Sequence, residues 1–207
     1  MRNTTMGRLP CASVVQVMDQ VMMLAFASWD GRPADRFELQ RRLRTRLAPR
    51  SDDPWSARLH AELLLVDITG PRALAAALDV ACRHDAWACV VMLRPPGQPG
   101  LQALHWMGRA RRSPWGLAVR ADPTDPRVDA VGGALALFVG LLRVRRAAAW
   151  VALDAARVHG GDATAAARSL GISPQAVSKH LRRNHARATD LMPQTLSRLL
   201  KPNEDGA

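Results

Sequence analysis

The sequence predicts an α+β fold, with a small N-terminal α/β sheet domain over residues 1–128 and an all-α domain over residues 129–207. Three observations lead there. Up to residue 120, apolar strand-like runs alternate with amphipathic helical runs, which favours a layered sheet over a bundle. Past Pro126 the composition turns to Ala, Leu and Arg with little strand signal, so a boundary falls between residues 121 and 140. Within the second part, residues 162–183 carry caps, a glycine turn and an apolar seam at the spacing of two short crossed helices.

The elements follow in order. Val14 to Trp29 is apolar, with a β-branched start at Ser13–Met18 that suits a strand. Asp30-Gly-Arg-Pro33 is a turn. Ala34 to Leu47 reads as a helix, with Phe37, Leu39 or Gln40, Leu43 and Leu47 on one face and Arg41, Arg42, Arg44 and Arg46 on the other. Pro49 ends it, and Ser51–Pro54 is a loop. Leu59 to Ile68 reads as one buried strand, broken by Thr69-Gly-Pro71. Arg72 to His84 is a second helix, and Trp87 to Leu93 a second buried strand. Pro95 to Gly100 is a long turn. Leu101–Met107 and Trp115–Arg120 read as two more strands, separated by Gly108–Pro114 with its three arginines. Val131 to His159 is one long helix or two, with Gly132, Gly133 and Gly140 as candidate breaks, and Gly160-Gly161 ends it.

Composition narrows the function. The chain has 207 residues, 48% apolar and 23% charged, enough for a real core. Net charge is +11, from 29 basic against 18 acidic residues, which favours a polyanionic partner. The preference for Arg over Lys and the lack of Tyr fit a GC-rich coding sequence as well as any function. No apolar run reaches 18 residues; the longest, Val131 to Leu142, is too short to span a membrane. The N-terminus carries Arg2 and Arg8, but Gln16, Asp19 and Gln20 interrupt the apolar region that follows, so no signal peptide is expected. Cys11, Cys82 and Cys89 have no framework spacing and read as reduced thiols of a cytoplasmic protein.

Residues 162–183, DATAAARSLGISPQAVSKHLRR, carry the most information. Asp162 or Thr164 can cap a first helix. Ala167 is small where a second helix must cross closely. Gly171 suits a turn residue with positive φ. Ile172 is placed to plug the space between the helices. Ser173 caps the second helix, and Pro174 sits in its first turn, where the missing N–H costs nothing. Ala167, Leu170, Ile172, Val177 and Leu181 form one seam. That leaves Gln175, Ala176, Ser178, Lys179, Arg182 and Arg183 outward, a face that fits the major groove of DNA. Gln175 can pair with an adenine edge; Lys179, Arg182 or Arg183 can reach guanine or phosphate. Ser173 is placed for a phosphate oxygen. The bland alternative is a helical hairpin that merely packs. Charge argues for DNA: residues 141–190 hold nine basic and three acidic side chains.

The segment resembles helix-turn-helix regulators, most specifically at Ala167, Gly171, Val177 and Leu181. Leu141 to His159 would supply the third helix of a trihelical unit, with Leu142, Ala149 or Trp150 and Leu153 against the seam. Asn184 to Lys201 is then a closing helix or a dimer contact, and no wing hairpin is evident. The layout also resembles the SatD family, proteins with a compact α/β domain and often a C-terminal helix-turn-helix. The matching pieces are Gly31-Arg-Pro-Ala-Asp-Arg36, Leu39-Gln-Arg-Arg-Leu43 and the Leu142 to Leu181 tail. Val66-Asp-Ile-Thr-Gly70 stands where that family carries a Gly-Asp-Glu motif, which implies a domain kept for architecture or pairing.

Nothing in the sequence marks an enzyme. Asp19 and Asp67 sit near strand ends and could hold Mg²⁺, but carboxylates there more often end strands. There is no phosphate-binding glycine loop and no nucleophile motif. Cys82, His84 and Cys89 lack a second ligand pair for zinc. His180 and His185 do not share a helical face. The six Trp are scattered, without the periodicity of a stacking platform. Arg109, Arg111 and Arg112 are either a solvated loop or a second phosphate contact. The sequence therefore predicts a helix-turn-helix protein bound to double-stranded DNA as a homodimer, with no catalytic residues, no cofactor, no metal and no membrane. A sensor or enzyme-like N-terminal domain with helix-turn-helix output, and a sigma-region-4-like polymerase accessory factor, are the alternatives.

Overall fold

A computed structural model describes residues 21–28, 36–47, 55–83, 87–93, 98–121 and 128–200. The expectations for Ser13–Met18, Asp30–Pro33 and Ser51–Pro54, and those for Cys11, Asp19, Trp29 and His84, lie outside the described residues. The elements are β1 (Val21–Ser28), α1 (Arg36–Leu47), β2 (Trp55–His60), β3 (Leu63–Thr69), α2 (Gly70–Cys82), β4 (Trp87–Leu93), α3 (Pro99–Arg112) and β5 (Leu117–Arg120). Helices α4 (Val128–Arg143), α5 (Ala147–Val158), α6 (Ala163–Leu170), α7 (Pro174–Arg183) and α8 (Ala186–Leu200) follow. The fold is α+β: one five-stranded mixed sheet in the N-terminal half, and helices alone after Arg120 among the described residues.

The sheet order is β2-β3-β1-β4-β5. The pairs β2–β3, β3–β1 and β1–β4 are antiparallel, and β4–β5 is parallel. Successive strand residues point to opposite faces, and here both faces are covered, so β4 is apolar throughout and β1 is apolar up to its last residue, Ser28. Met22, Leu24 and Phe26 of β1 join Leu64, Val66 and Ile68 of β3 under α1 and α2. Met23, Ala25 and Ala27 face the other way and meet Ala103, Met107 and Ala110 of α3. Asp67 lies within β3, paired across the strands with Arg58 and accepting from the Ser56 hydroxyl at 3.1 Å.

The structure departs from the sequence reading in several places. Leu59–Ile68 is not one strand but parts of the β2–β3 hairpin. Its two-residue turn puts Ala61 at φ 50°, and Arg36 donates to the Ala61 carbonyl at 2.6 Å. That turn lacks the Asn-Gly signature such loops favour, which hides it. Leu101–Met107 is the middle of helix α3. Gly100, Ala103, Met107 and Ala110 are its buried positions, a helical period visible only over a window longer than seven residues. At Gly100 a Cβ would come within 2.5 Å of the His60 ring, so a larger residue there would have to displace that exposed side chain. The C-terminal helices break at Val144–Arg146, not at a glycine. Phe37 is exposed, while Leu39, Leu43 and Leu47 are buried as expected.

Helix α4 buries Val131, Leu135, Phe138, Val139 and Leu142. Helix α8 adds Met192 and Leu196 to the same cluster, which also holds the α1–α2 face of the sheet. Helix α8 is thus a closing helix packed on α2 and α4. Trp150 of α5 is buried, with the guanidinium groups of Arg83 and Arg145 at 4.6 and 4.9 Å from its ring centroid. Leu142, Trp150 and Leu153 belong to this main core rather than to the seam of α6 and α7.

Candidate nucleic-acid interface

Helices α5, α6 and α7 form a small trihelical unit with its own cluster. Ala156 of α5, Ala166 and Ala167 of α6 and Val177 of α7 are its buried members, with Ala155, Ala163 and Leu181 partly buried around them. The alanines let the helices cross closely, and Val177 fills the centre. Ala156, not Leu142, Ala149, Trp150 or Leu153, is the α5 residue at the seam. Ile172 does not plug the gap: it is 42% exposed. Its backbone N–H instead donates to the Ala167 carbonyl at 3.1 Å and closes the end of α6.

The capping chemistry is as the sequence predicts. Asp162, not Thr164, is the N-cap of α6 and accepts from the backbone N–H groups of Thr164 at 2.7 Å and Ala165 at 3.2 Å. Those two donors hold its carboxyl below the usual carboxylate range. Gly171 ends α6 in the left-handed region, at φ 66°. Ser173 caps α7 by accepting from the Ala176 N–H at 3.2 Å, and Pro174 follows in the first turn. At the other end, His180, Arg182 and Arg183 lie in the last turn, where positive charge complements the helix dipole.

These constraints orient α7. With Val177 inward, Gln175, Lys179 and Arg182 fall at i, i+4 and i+7 on the opposite side, and all three are exposed or half-exposed. Ser173 and Arg183 are exposed too. Ala176 and Ser178 flank this ridge. Lys179, Arg182 and Arg183 together line a shallow hollow in the surface.

Two residues escape the sequence reading. Arg168 on α6 and Arg187 on α8 are exposed on the elements flanking α7. A signal for them exists: between Asp162 and Asp190 the chain has no acidic residue, but has Arg168, Lys179, Arg182, Arg183 and Arg187. Arg109, Arg111 and Arg112 are in the last turn of α3, not in a loop. Arg111 is engaged, donating to the Ser28 carbonyl at 3.1 Å and paired with Glu62 at 3.2 Å.

Other chemistry is sparse. Cys82 and Cys89 are buried free thiols, and burial pushes Cys89 well above the ordinary thiol range. Among the described residues no group of His, Cys, Asp and Glu is clustered for a metal. No described helix is long and apolar enough to cross a membrane.

No protein-family model matches the chain, so the resemblance to the SatD family has no family match behind it. No curated protein matches it either. Among solved structures, the chain is similar to a regulator of polyketide synthase expression from Bifidobacterium adolescentis. The two are 14% identical, the match covers 87% of this chain and 77% of that chain, and the TM-score is 0.29.

Proposed function

We propose that the chain is a sequence-specific DNA-binding transcription regulator that places α7 in the major groove. The observation that carries this is the outward ridge of Gln175, Lys179 and Arg182 on a helix capped at its start by Ser173 and fixed by buried Val177. Gln175, near the N-terminus of α7, is the base reader, since an amide side chain can bond an adenine edge at two points. Lys179, Arg182 and Arg183 supply contacts to guanine or phosphate, and Ser173 and the first turn of α7 meet a phosphate. Ala176 and Ser178 border the ridge and limit how closely the groove can approach.

A single such helix spans few base pairs. The reading therefore includes a homodimer, with two half-sites about one helical turn apart. It assigns the chain no catalysis and no cofactor. The test is duplex affinity, by fluorescence anisotropy, of the unaltered chain against Lys179→Ala/Arg183→Ala. Loss of binding by about ten-fold or more, with the circular dichroism spectrum and melting unchanged, is the expected result. Equal affinity in the two proteins removes α7 as the DNA-binding element.

A further inference from the structure

Helix α4 carries no polar side chain from Ala130 to Leu142. Its inner side is accounted for. Val131, Leu135, Phe138, Val139 and Leu142 are buried, and the helix packs on α2, α8 and β5. Its outer side is not. Ala130, Gly133, Leu137 and Val144 are exposed and Leu141 is half-buried, at spacings of three and four residues that make one stripe. Val144 still belongs to it, since its N–H donates to the Gly140 carbonyl at 3.2 Å. Leu137, at the middle, is 71% exposed. A helix apolar all round is ordinarily buried, and a contiguous exposed apolar patch marks an interaction surface. We propose that two copies of the chain associate through this stripe, their α4 helices antiparallel about a two-fold axis at Leu137.

A two-fold interface must be self-complementary, because residue i meets j while j meets i. The stripe has that property. Setting Leu137 against its own copy places the small residues Ala130, Gly133 and Ala134 opposite Val144, Leu141 and Gly140. At Gly133 a Cβ would meet nothing within 4 Å, so that level of the stripe has room for a side chain from the second copy. Trp115 supplies a large group at the matching level. Its ring covers Gly140, where a Cβ would stand 3.3 Å away, and it stays 40% exposed beside the stripe. Tryptophan at the centre of a patch is a residue type that carries binding energy in interfaces.

Charge selects the antiparallel arrangement. Asp129 precedes the stripe and Arg146 follows it. Both are exposed, and neither forms an ion pair among the described residues. Antiparallel helices bring Asp129 of each copy to Arg146 of the other, within one residue of the register centred on Leu137. Parallel helices would set Asp129 against Asp129 and Arg146 against Arg146, which repel. The inference deepens the homodimer included in the proposed function by naming its surface, and it holds whether or not α7 reads DNA.

One helix face is at the small end of stable interfaces, so sedimentation equilibrium on the full chain without DNA, from about 1 to about 100 μM, is the test. A mass rising with concentration from the 22.6 kDa of one chain towards twice that value is expected. Leu137→Glu, at an exposed position that leaves the circular dichroism spectrum unchanged, sets like charges together at the axis and weakens association by about ten-fold or more. Asp129→Arg weakens it by about three-fold or more, and Asp129→Arg/Arg146→Asp restores it. Lys179→Ala/Arg183→Ala leaves it unchanged. A single-chain mass at every concentration overturns the inference and leaves the stripe to a different partner. A dimer that survives Leu137→Glu, a double variant no tighter than Asp129→Arg, or a dimer lost with the α7 variant overturns it too. Because no DNA is present, these outcomes are separate from the proposed role of α7.

Discussion

Val177 holds α7 in place, and shortening it tests how. Its surface exposure is 0%, and its buried neighbours are Ala156, Ala166 and Ala167. Val177→Ala removes two methyl groups, about 1.6 kcal/mol of transfer free energy at about 0.8 kcal/mol per buried carbon. The alanine neighbours have no longer side chain to swing into the gap, so a cavity term adds, for a total of about 2–3 kcal/mol. Val177→Asp costs more, because it puts a carboxylate among the buried side chains of Ala156, Ala166 and Ala167. Val177 is not part of the clusters on either face of the sheet, so the damage stays local. Hydrogen exchange resolved by segment is the assay. For Val177→Ala, amides of α6 and α7 should exchange about 30-fold to 150-fold faster, at about 1.4 kcal/mol per decade, while β1, β3 and β4 keep their protection. Unaltered protection of α6 and α7 in Val177→Asp, with unaltered DNA affinity, would refute the packing argument.

At Gly171, with φ 66° and open space where a Cβ would stand, the cost of a side chain is purely conformational. Gly171→Ala should lower stability in urea melts by about 1 kcal/mol and Gly171→Asn by less; the reverse order contradicts a left-handed turn. Gln175→Ala should relax preference at one base pair by about 1–3 kcal/mol, whereas Arg182→Ala should weaken all duplexes alike and reduce the salt slope by about one. If Gln175→Ala changes no base preference, the assigned recognition face is wrong. Glu38, held by Arg41 and Arg42, has its pKa lowered to about 2 from the ordinary 4.5. Its ion pairs therefore contribute fully above pH 4.5 and are lost as the pH falls towards 2, which a carboxyl NMR titration reads directly. A midpoint near 4.5 would show that the α1 pairs do not persist in solution.

The candidate site is more legible in the sequence than the fold around it. Helices α6 and α7 are specified locally: Asp162, Gly171, Ser173 and Pro174 each act within one helical turn, so their roles can be read residue by residue. Strand β4 is legible for a similar reason, as a continuous apolar run between polar breaks. The β2–β3 turn is not, because Ala61 takes a positive φ where its identity gives no warning. Helix α3 reads as a strand because Gly108 looks like a breaker, yet that glycine lies within a helix whose buried face continues to Ala110. Ile172 reads as buried because the motif fixes its backbone hydrogen bond rather than its side-chain burial. An arginine–aspartate cluster around Asp79 is invisible for a different reason. Asp79 and Arg83 are an i,i+4 pair at the end of α2, but Arg46, Arg145, Arg157 and Asp190 come from other helices or connecting segments, and only tertiary packing brings them to it.

The most direct test of the central claim is selection of bound fragments from a random duplex pool at about 150 mM salt, where non-specific phosphate binding is already weakened. The account predicts a palindromic consensus with half-sites about one helical turn apart, altered at one position in each half by Gln175→Ala. Salt-sensitive binding with no consensus would contradict it, leaving α7 a general phosphate-binding surface rather than a reader of sequence.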